Sequence, residues 1–153
     1  MSRSSGTASA SSPLRGSAVI EFALSFAILF SIFTGVFQFG YAFYQYNALE
    51  SAVRGGARYA SLRTYDSATE TPSAAYLAAV RNMVVYGDPN GGALPIARGL
   101  TPAKVTVTMT FERSVPRRVA VNITNYTIDA VFTSMTLNAK PKATFLYVGR
   151  WAP

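Results

Sequence analysis

An uncharged apolar stretch near the N-terminus constrains this chain more than any other feature. Residues 22–49 contain no charged side chain and are rich in phenylalanine, leucine, isoleucine and alanine. A helix needs roughly 20 apolar residues to cross a bilayer core. A secretory signal peptide has a shorter apolar region, of about 7–15 residues, and ends at a small-residue cleavage site. The nearest such site, Gly40-Tyr41-Ala42, lies among bulky aromatic residues, so we predict a retained membrane helix spanning about residues 22–44.

The far end of this stretch has the composition of a membrane–water boundary. Tyrosines alternate there with amides, and such amphipathic side chains are typical of the headgroup region. The residues are Tyr41, Tyr44, Tyr46, Gln38, Gln45 and Asn47. Two basic residues precede the span and three follow it closely, so the positive-inside rule does not decide its orientation.

Composition excludes the commonest catalytic and metal chemistries. The chain has no histidine and no cysteine, which removes the Ser-His-Asp triad, the thiol nucleophile and the thiolate or imidazole metal site. Its seven acidic residues are dispersed, and its net charge of +7 is scattered along the chain. We therefore expect no enzymatic activity, no cofactor, no bound metal and no nucleic-acid binding.

A single acid stands at the head of the apolar stretch. Glu21 immediately precedes Phe22, and Gly16 lies five residues before Glu21. A carboxylate within a bilayer is costly, so its presence suggests a partner; the alternative is a headgroup residue or a first-turn acid favoured by the helix dipole. A Gly-x4-Glu motif that opens an uninterrupted hydrophobic helix resembles the processing site of type IV prepilins.

This resemblance implies a set of processing residues, Gly16, Ser17, Glu21 and Phe22. A prepilin peptidase would cleave after Gly16 on the cytoplasmic side and remove a leader of residues 1–16. Ser17 would then carry the new α-amine, and Glu21 would be the fifth residue of the mature chain. The amine of one subunit and the carboxylate of its neighbour would neutralise each other and fix the stagger between subunits.

A second segment of the sequence makes this resemblance more specific. Residues 49–61 end in Ala57-Arg58-Tyr59-Ala60-Ser61, and together with the first motif they resemble TadE-like proteins, the pseudopilins of the tight-adherence (Flp) pilus system. Because roughly 90 residues follow, the resemblance implies a minor pilin or pseudopilin rather than the major subunit. It further implies a bacterial inner-membrane protein with an exported C-terminal domain, whose partners are the prepilin peptidase, other pilin or pseudopilin subunits, the inner-membrane pilus assembly platform and membrane lipid. The alternative is an uncleaved single-pass membrane protein whose exported domain binds a ligand or surface.

Two faces of the predicted helix are suited to packing against other helices. Large aromatic side chains recur every three or four residues along one side, the spacing of a helical seam. Small residues recur every fourth position beside them, a pattern that lets membrane helices approach closely. The aromatic series is Phe22, Phe26, Phe30, Phe33, Phe37, Tyr41 and Tyr44, and the small series is Ala23, Ala27, Ser31 and Gly35.

The whole chain is predicted to have a type IV pilin-like α+β fold. A long N-terminal helix covers residues 17–63, and residues 64–153 form a small exported domain with a second helix and an antiparallel sheet. Proline in its first turn and Gly87 after its last predict that the second helix runs from about Thr71 to Tyr86. Alternating apolar residues predict strands at 105–111, at 119–123 and at 143–147, with residues 113–118 as a loop. Alternation at 126–132 suggests that the second strand continues after an irregularity.

Overall fold

The computed structural model describes residues 14–130 and 134–152, and its elements confirm the α+β class. Residues 1–13 of the predicted leader and Phe132 of the predicted strand lie outside the described residues. The chain divides into two compact units, residues 1–37 and 38–153. The elements are α1 (Leu14–Leu62), α2 (Ala74–Tyr86), a short 3-10 helix (Pro102–Lys104), β1 (Val105–Glu112), β2 (Val115–Ile123), β3 (Tyr126–Asp129), β4 (Ser134–Leu137) and β5 (Lys142–Leu146).

Helix α1 carries the uncharged stretch. It begins at Leu14, three residues before the predicted start, and ends at Leu62. Every residue from 16 to 33 is exposed. This helix is long and apolar enough to cross a membrane, and its most apolar window has no buried residue. A core helix of a soluble domain would bury that window, so the exposure favours lipid or other helices as its surroundings.

Helix α2 is capped at both ends. The Ser73 hydroxyl accepts a hydrogen bond from the Tyr76 amide at 3.0 Å, which satisfies one of the free donors of the first turn. Gly87 ends the helix in the left-handed region, with φ of 74°, and its amide donates to the Met83 carbonyl. Glycine adopts this conformation without a Cβ penalty, so the predicted end of α2 at Tyr86 is confirmed. The helix begins at Ala74 rather than near Thr71, and Pro72 precedes the N-cap Ser73 instead of lying in the first turn.

Strands β1, β2 and β5 form an antiparallel sheet with β2 in the centre. The predicted loop at residues 113–118 is wrong, because β2 already begins at Val115 and only Arg113 and Ser114 turn the chain, both at positive φ. The sequence did not predict this longer β2, because Pro116 is an unfavourable strand residue. Strand β5 pairs only with residues 118–122 of β2, so Pro116 lies where β2 has a single neighbour and its missing N–H is tolerated.

The apolar alternation suggested that β3 continues β2, but the structure separates the two strands. Asn125 adopts a positive φ of 53° between them, and β3 instead pairs with β4 in a separate two-stranded sheet. Asparagine is among the residues that tolerate this region. Strand β4 was not predicted, since its four residues are too few to show a period.

The core of the second unit lies between the helices and the sheets, as predicted. It contains buried residues of α1, of α2, of the β1-β2-β5 sheet and of the β3-β4 pair. The Tyr76 hydroxyl donates to the Ala60 carbonyl of α1 at 2.6 Å, and burial raises the pKa of Tyr76. From α1 the core includes Leu49, Ala52, Val53, Ala57 and Ala60, and from α2 it includes Tyr76, Val80, Val84 and Val85.

Gly56 sets the distance between α1 and α2. A Cβ built on Gly56 collides with the side chain of Val84, whereas one built on Gly55 meets nothing within 4 Å. The two helices can therefore approach this closely only because residue 56 has no side chain.

We predict opposite effects of adding a methyl group at these two neighbouring positions. Gly56→Ala should destabilise the fold by about 1–3 kcal/mol through overpacking. Gly55→Ala should stabilise it by about 0.5–1 kcal/mol, because alanine loses less backbone entropy in a helix. Thermal unfolding of the full chain in detergent, followed by near-ultraviolet circular dichroism, measures both. Equal stability of the two variants would contradict the close packing of α2 at Gly56.

Candidate functional site

The predicted processing residues lie in the first turns of α1. Gly16, Ser17, Glu21 and Phe22 are all helical and exposed. Ser17 and Glu21 are four residues apart and so lie on one face of the helix. Gly16 and Glu21 are five apart, which places them about 140° apart around the helix axis. The helix therefore brings together the proposed new N-terminus and the acid, with the glycine on a different side.

No tertiary contact holds Gly16 or Glu21 in place within the described part of the chain. A Cβ built on Gly16 meets nothing within 4 Å. The ion pairs found among residues 14–130 and 134–152 are Glu50–Arg54 and Glu112–Arg117, and neither includes Glu21. This end of α1 can therefore open, or accept a partner, without breaking a packed core.

The aromatic seam forms stacked pairs along α1. The ring centroids of Phe22 and Phe26 are 6.0 Å apart, and those of Phe26 and Phe30 are 5.8 Å apart. Phe33 and Phe37 continue the series and are exposed. Stacking of this kind orders the rings relative to one another, and the result is an apolar ridge with its outer surface uncovered.

The small-residue series forms the complementary surface. Ala23, Ala27, Ser31 and Gly35 are all exposed. The Ser31 hydroxyl donates to the Ala27 carbonyl at 2.8 Å, so it is satisfied within its own helix and leaves a smooth surface. A Cβ on Gly35 meets nothing within 4 Å. Such a shallow groove admits the ridge of another helix.

The second sequence block has a structural role in the domain core. Ala57 and Ala60 are fully buried, whereas Arg58 is exposed. Tyr59 is half-buried, and its hydroxyl accepts a hydrogen bond from Arg63 at 2.5 Å. The motif does not reveal that Gly56, one position before it, is the contact point with α2. The only available signal is the spacing of Leu49, Val53, Gly56 and Ala60 along one helix face.

Carboxylates are not grouped into a metal site in the parts of the chain that the structure describes, since no three acidic residues there could share an ion. The segment at residues 88–92 is a turn, in which the Asp88 carboxylate accepts a hydrogen bond from the Asn90 amide at 2.8 Å. This is the ordinary use of aspartate in a turn.

The fold and the exposed helix define a class: an α+β protein with one N-terminal helix that is long and apolar enough to span a membrane. This is the arrangement of a single-pass membrane protein.

Comparison with known proteins then tests the resemblance. The family model described as TadE-like protein matches residues 16–58, so this segment of the chain is TadE-like and the predicted resemblance is confirmed. No curated protein and no solved structure matches the chain. The matched segment covers both the exposed apolar part of α1 and the part that packs against α2.

We predict that the small-residue face mediates association between copies of α1. Gly35→Leu places a bulky side chain in the groove and should raise the dissociation constant of the helices about tenfold, equivalent to about 1.4 kcal/mol. Ser25→Leu is the control, because Ser25 is an exposed small residue that belongs to neither the small series nor the aromatic series. Energy transfer between labelled full-length chains in vesicles measures association. A loss in the Ser25 variant equal to that in the Gly35 variant would contradict a specific face.

Proposed function

We propose that this chain is a minor pilin or pseudopilin that supports assembly of a tight-adherence (Flp) pilus. It is inserted in the inner membrane as a prepilin, with its C-terminal domain exported. A prepilin peptidase cleaves it after Gly16, and the mature helix then packs against other pilin or pseudopilin subunits and the assembly platform. This role depends on packing and requires neither catalysis nor a cofactor.

The observation that carries the proposal is the position of the Gly-x4-Glu motif. The TadE-like match begins at Gly16 itself, and the motif opens directly into the exposed apolar part of α1. Residues before Gly16 fall outside the match, as expected for a leader with different constraints from the mature chain. The motif, the apolar helix and the second block thus follow one another in the order that the TadE-like resemblance implies.

The helical state of Gly16 is compatible with processing. A peptidase needs an extended backbone at the bond it cleaves, and the terminal turns of a helix fray readily. Glycine lowers local helix stability by about 1 kcal/mol relative to alanine, and Gly16 lies only two residues from the first residue of α1. Since Gly16 makes no side-chain contact, unwinding this turn disrupts no packing.

Glu21 is the registration charge in this proposal. Its side chain lies on the same face as Ser17 and is directed towards the N-terminus, as helical side chains are. A carboxylate near the apolar region is costly unless a cation neutralises it. Cleavage after Gly16 creates such a cation at Ser17, and the amine of one subunit pairs with the Glu21 carboxylate of its neighbour. Processing and assembly are therefore coupled through one charge pair between subunits.

We predict that Gly16→Ala leaves an unprocessed precursor. The added methyl group stabilises the helix at the bond to be cleaved and obstructs close approach of the peptidase. Gly40→Ala is the matched control, because it makes the same change at another helical glycine without neighbours. Immunoblots of membrane fractions separate precursor from mature chain by size. Normal processing of the Gly16 variant would overturn the assigned cleavage site.

We predict that Glu21→Ala impairs pilus assembly while processing is largely retained. The variant removes the partner of the Ser17 amine but leaves the cleaved bond intact. Glu50→Ala is the control, since Glu50 is an α1 carboxylate that pairs with Arg54 of its own helix on the surface. Electron microscopy counts pili, and immunoblots report processing in the same cells. Normal pili in the Glu21 variant would remove its proposed role.

A further inference from the structure

A cavity of about 460 Å³ lies in the second unit, beside the last residues of the predicted membrane span. Tyr41 and Gln45 of α1 line one side. Arg98, Lys104 and Asp129 contribute the charged groups. These residues come from four separate segments of the chain, so only the fold brings them together.

The cavity holds two cations beside one carboxylate. The Lys104 ammonium donates to the Gly99 carbonyl at 3.0 Å and lies 5.3 Å from the centre of the Tyr126 ring. The Tyr126 hydroxyl donates to the Arg98 carbonyl at 2.9 Å, which anchors the loop that carries Arg98. Within residues 14–130 and 134–152, neither cation belongs to an ion pair. An ammonium group has three donors and a guanidinium five, so both retain donors for an anion.

Two exposed apolar side chains lie on the loop that leads to Arg98. Leu94 is 83% exposed and Ile96 is 47% exposed, on the loop that leads to Arg98. The Ile96 amide donates to the Val85 carbonyl at 2.7 Å, which ties this loop to the end of α2. A smaller cavity next to the first is lined by Ile96 together with Tyr44 and Ala48 of α1. The loop therefore lies beside the tyrosines that mark the membrane boundary.

This combination of groups matches the chemistry of a membrane surface. Tyrosine side chains at the end of an apolar span lie at headgroup level. Basic side chains there attract lipid phosphates, and neighbouring apolar side chains enter the acyl boundary. The charges of the two basic residues and the position of the cavity at the end of the span thus both indicate a membrane phospholipid.

We propose that this cavity is a binding site for the phosphate group of a membrane phospholipid. Arg98 and Lys104 donate to the phosphate oxygens. Asp129 accepts a hydrogen bond from the ammonium or hydroxyl group that the headgroup carries beyond the phosphate. Leu94 and Ile96 contact the acyl chains.

The site holds the base of the exported domain against the bilayer. It depends on membrane insertion of α1 and is independent of cleavage after Gly16, so it can fail or succeed separately from the pilin role.

The test uses the full chain in detergent and measures phosphatidylglycerol binding by native mass spectrometry. Arg98→Gln/Lys104→Gln should weaken binding at least about tenfold, as expected from the loss of charge-assisted hydrogen bonds. Arg113→Gln/Arg118→Gln is the matched control, because it removes the same charge at the opposite end of the β1-β2 hairpin. Equal binding by both double variants, or by the first variant and the unmodified chain, overturns the site.

Two further probes separate a lipid from a free phosphate. Inorganic phosphate and diacylglycerol should each fail to displace the bound phospholipid at concentrations where a second phospholipid displaces it. Displacement by inorganic phosphate alone would show a site for the free ion and overturn the lipid assignment. Leu94→Ser should weaken phospholipid binding several-fold. Because Leu94 is largely exposed, this change leaves the core intact, and unchanged binding by this variant would also overturn the proposal.

Discussion

The exposed apolar surface of α1 is the constraint on which the rest of the account depends. Every residue of α1 from 16 to 33 is exposed, and the exposed side chains include Phe22, Phe26 and Phe30. Water disfavours contiguous apolar area of this size, so the surface requires lipid or other helices around it. A bilayer would supply the lipid, and the complementary ridge and groove would allow other helices to pack against α1.

Small residues have the same physical effect in two different parts of α1. At Gly56 the missing side chain lets α2 pack against α1 and complete the domain core. At Ala27 and Gly35 the small side chains leave a groove that no described residue fills. The space beside Gly56 is filled by α2 of the same chain, whereas the groove at Ala27 and Gly35 is available to another helix. The TadE-like segment includes both, which explains why a long apolar helix and a packing segment occur together.

The features that sequence predicted well are those set by local periodicity and caps. The uncharged stretch, Gly87 at the end of α2, and the alternation in β1 each leave a direct pattern in the sequence. The separation of β3 from β2 leaves only a one-residue shift in the alternation, from odd positions up to Ile123 to even positions from Tyr126. A β-bulge within one strand would produce the same shift, so the sequence does not reveal that the backbone turns at Asn125. The start of β2 was missed because Pro116 is a poor strand residue except where a strand has one neighbour.

The two candidate sites also differ in whether a local sequence pattern predicts them. The Gly16 to Glu21 motif is local and is readable from sequence. The cavity formed by Arg98 and Lys104 is not, since Tyr41 and Asp129 reach it only through the tertiary fold. The exposure of Leu94, on the loop that leads to Arg98, is likewise a property of the folded chain.

The N-terminus of the membrane-bound chain tests the central claim most directly. N-terminal sequencing of the protein extracted from cell membranes should give Ser17 as the first residue, followed by Ala18 and Val19. A chain that still begins at Met1, or that is cleaved at another bond, would contradict the assignment of this protein as a processed pilin.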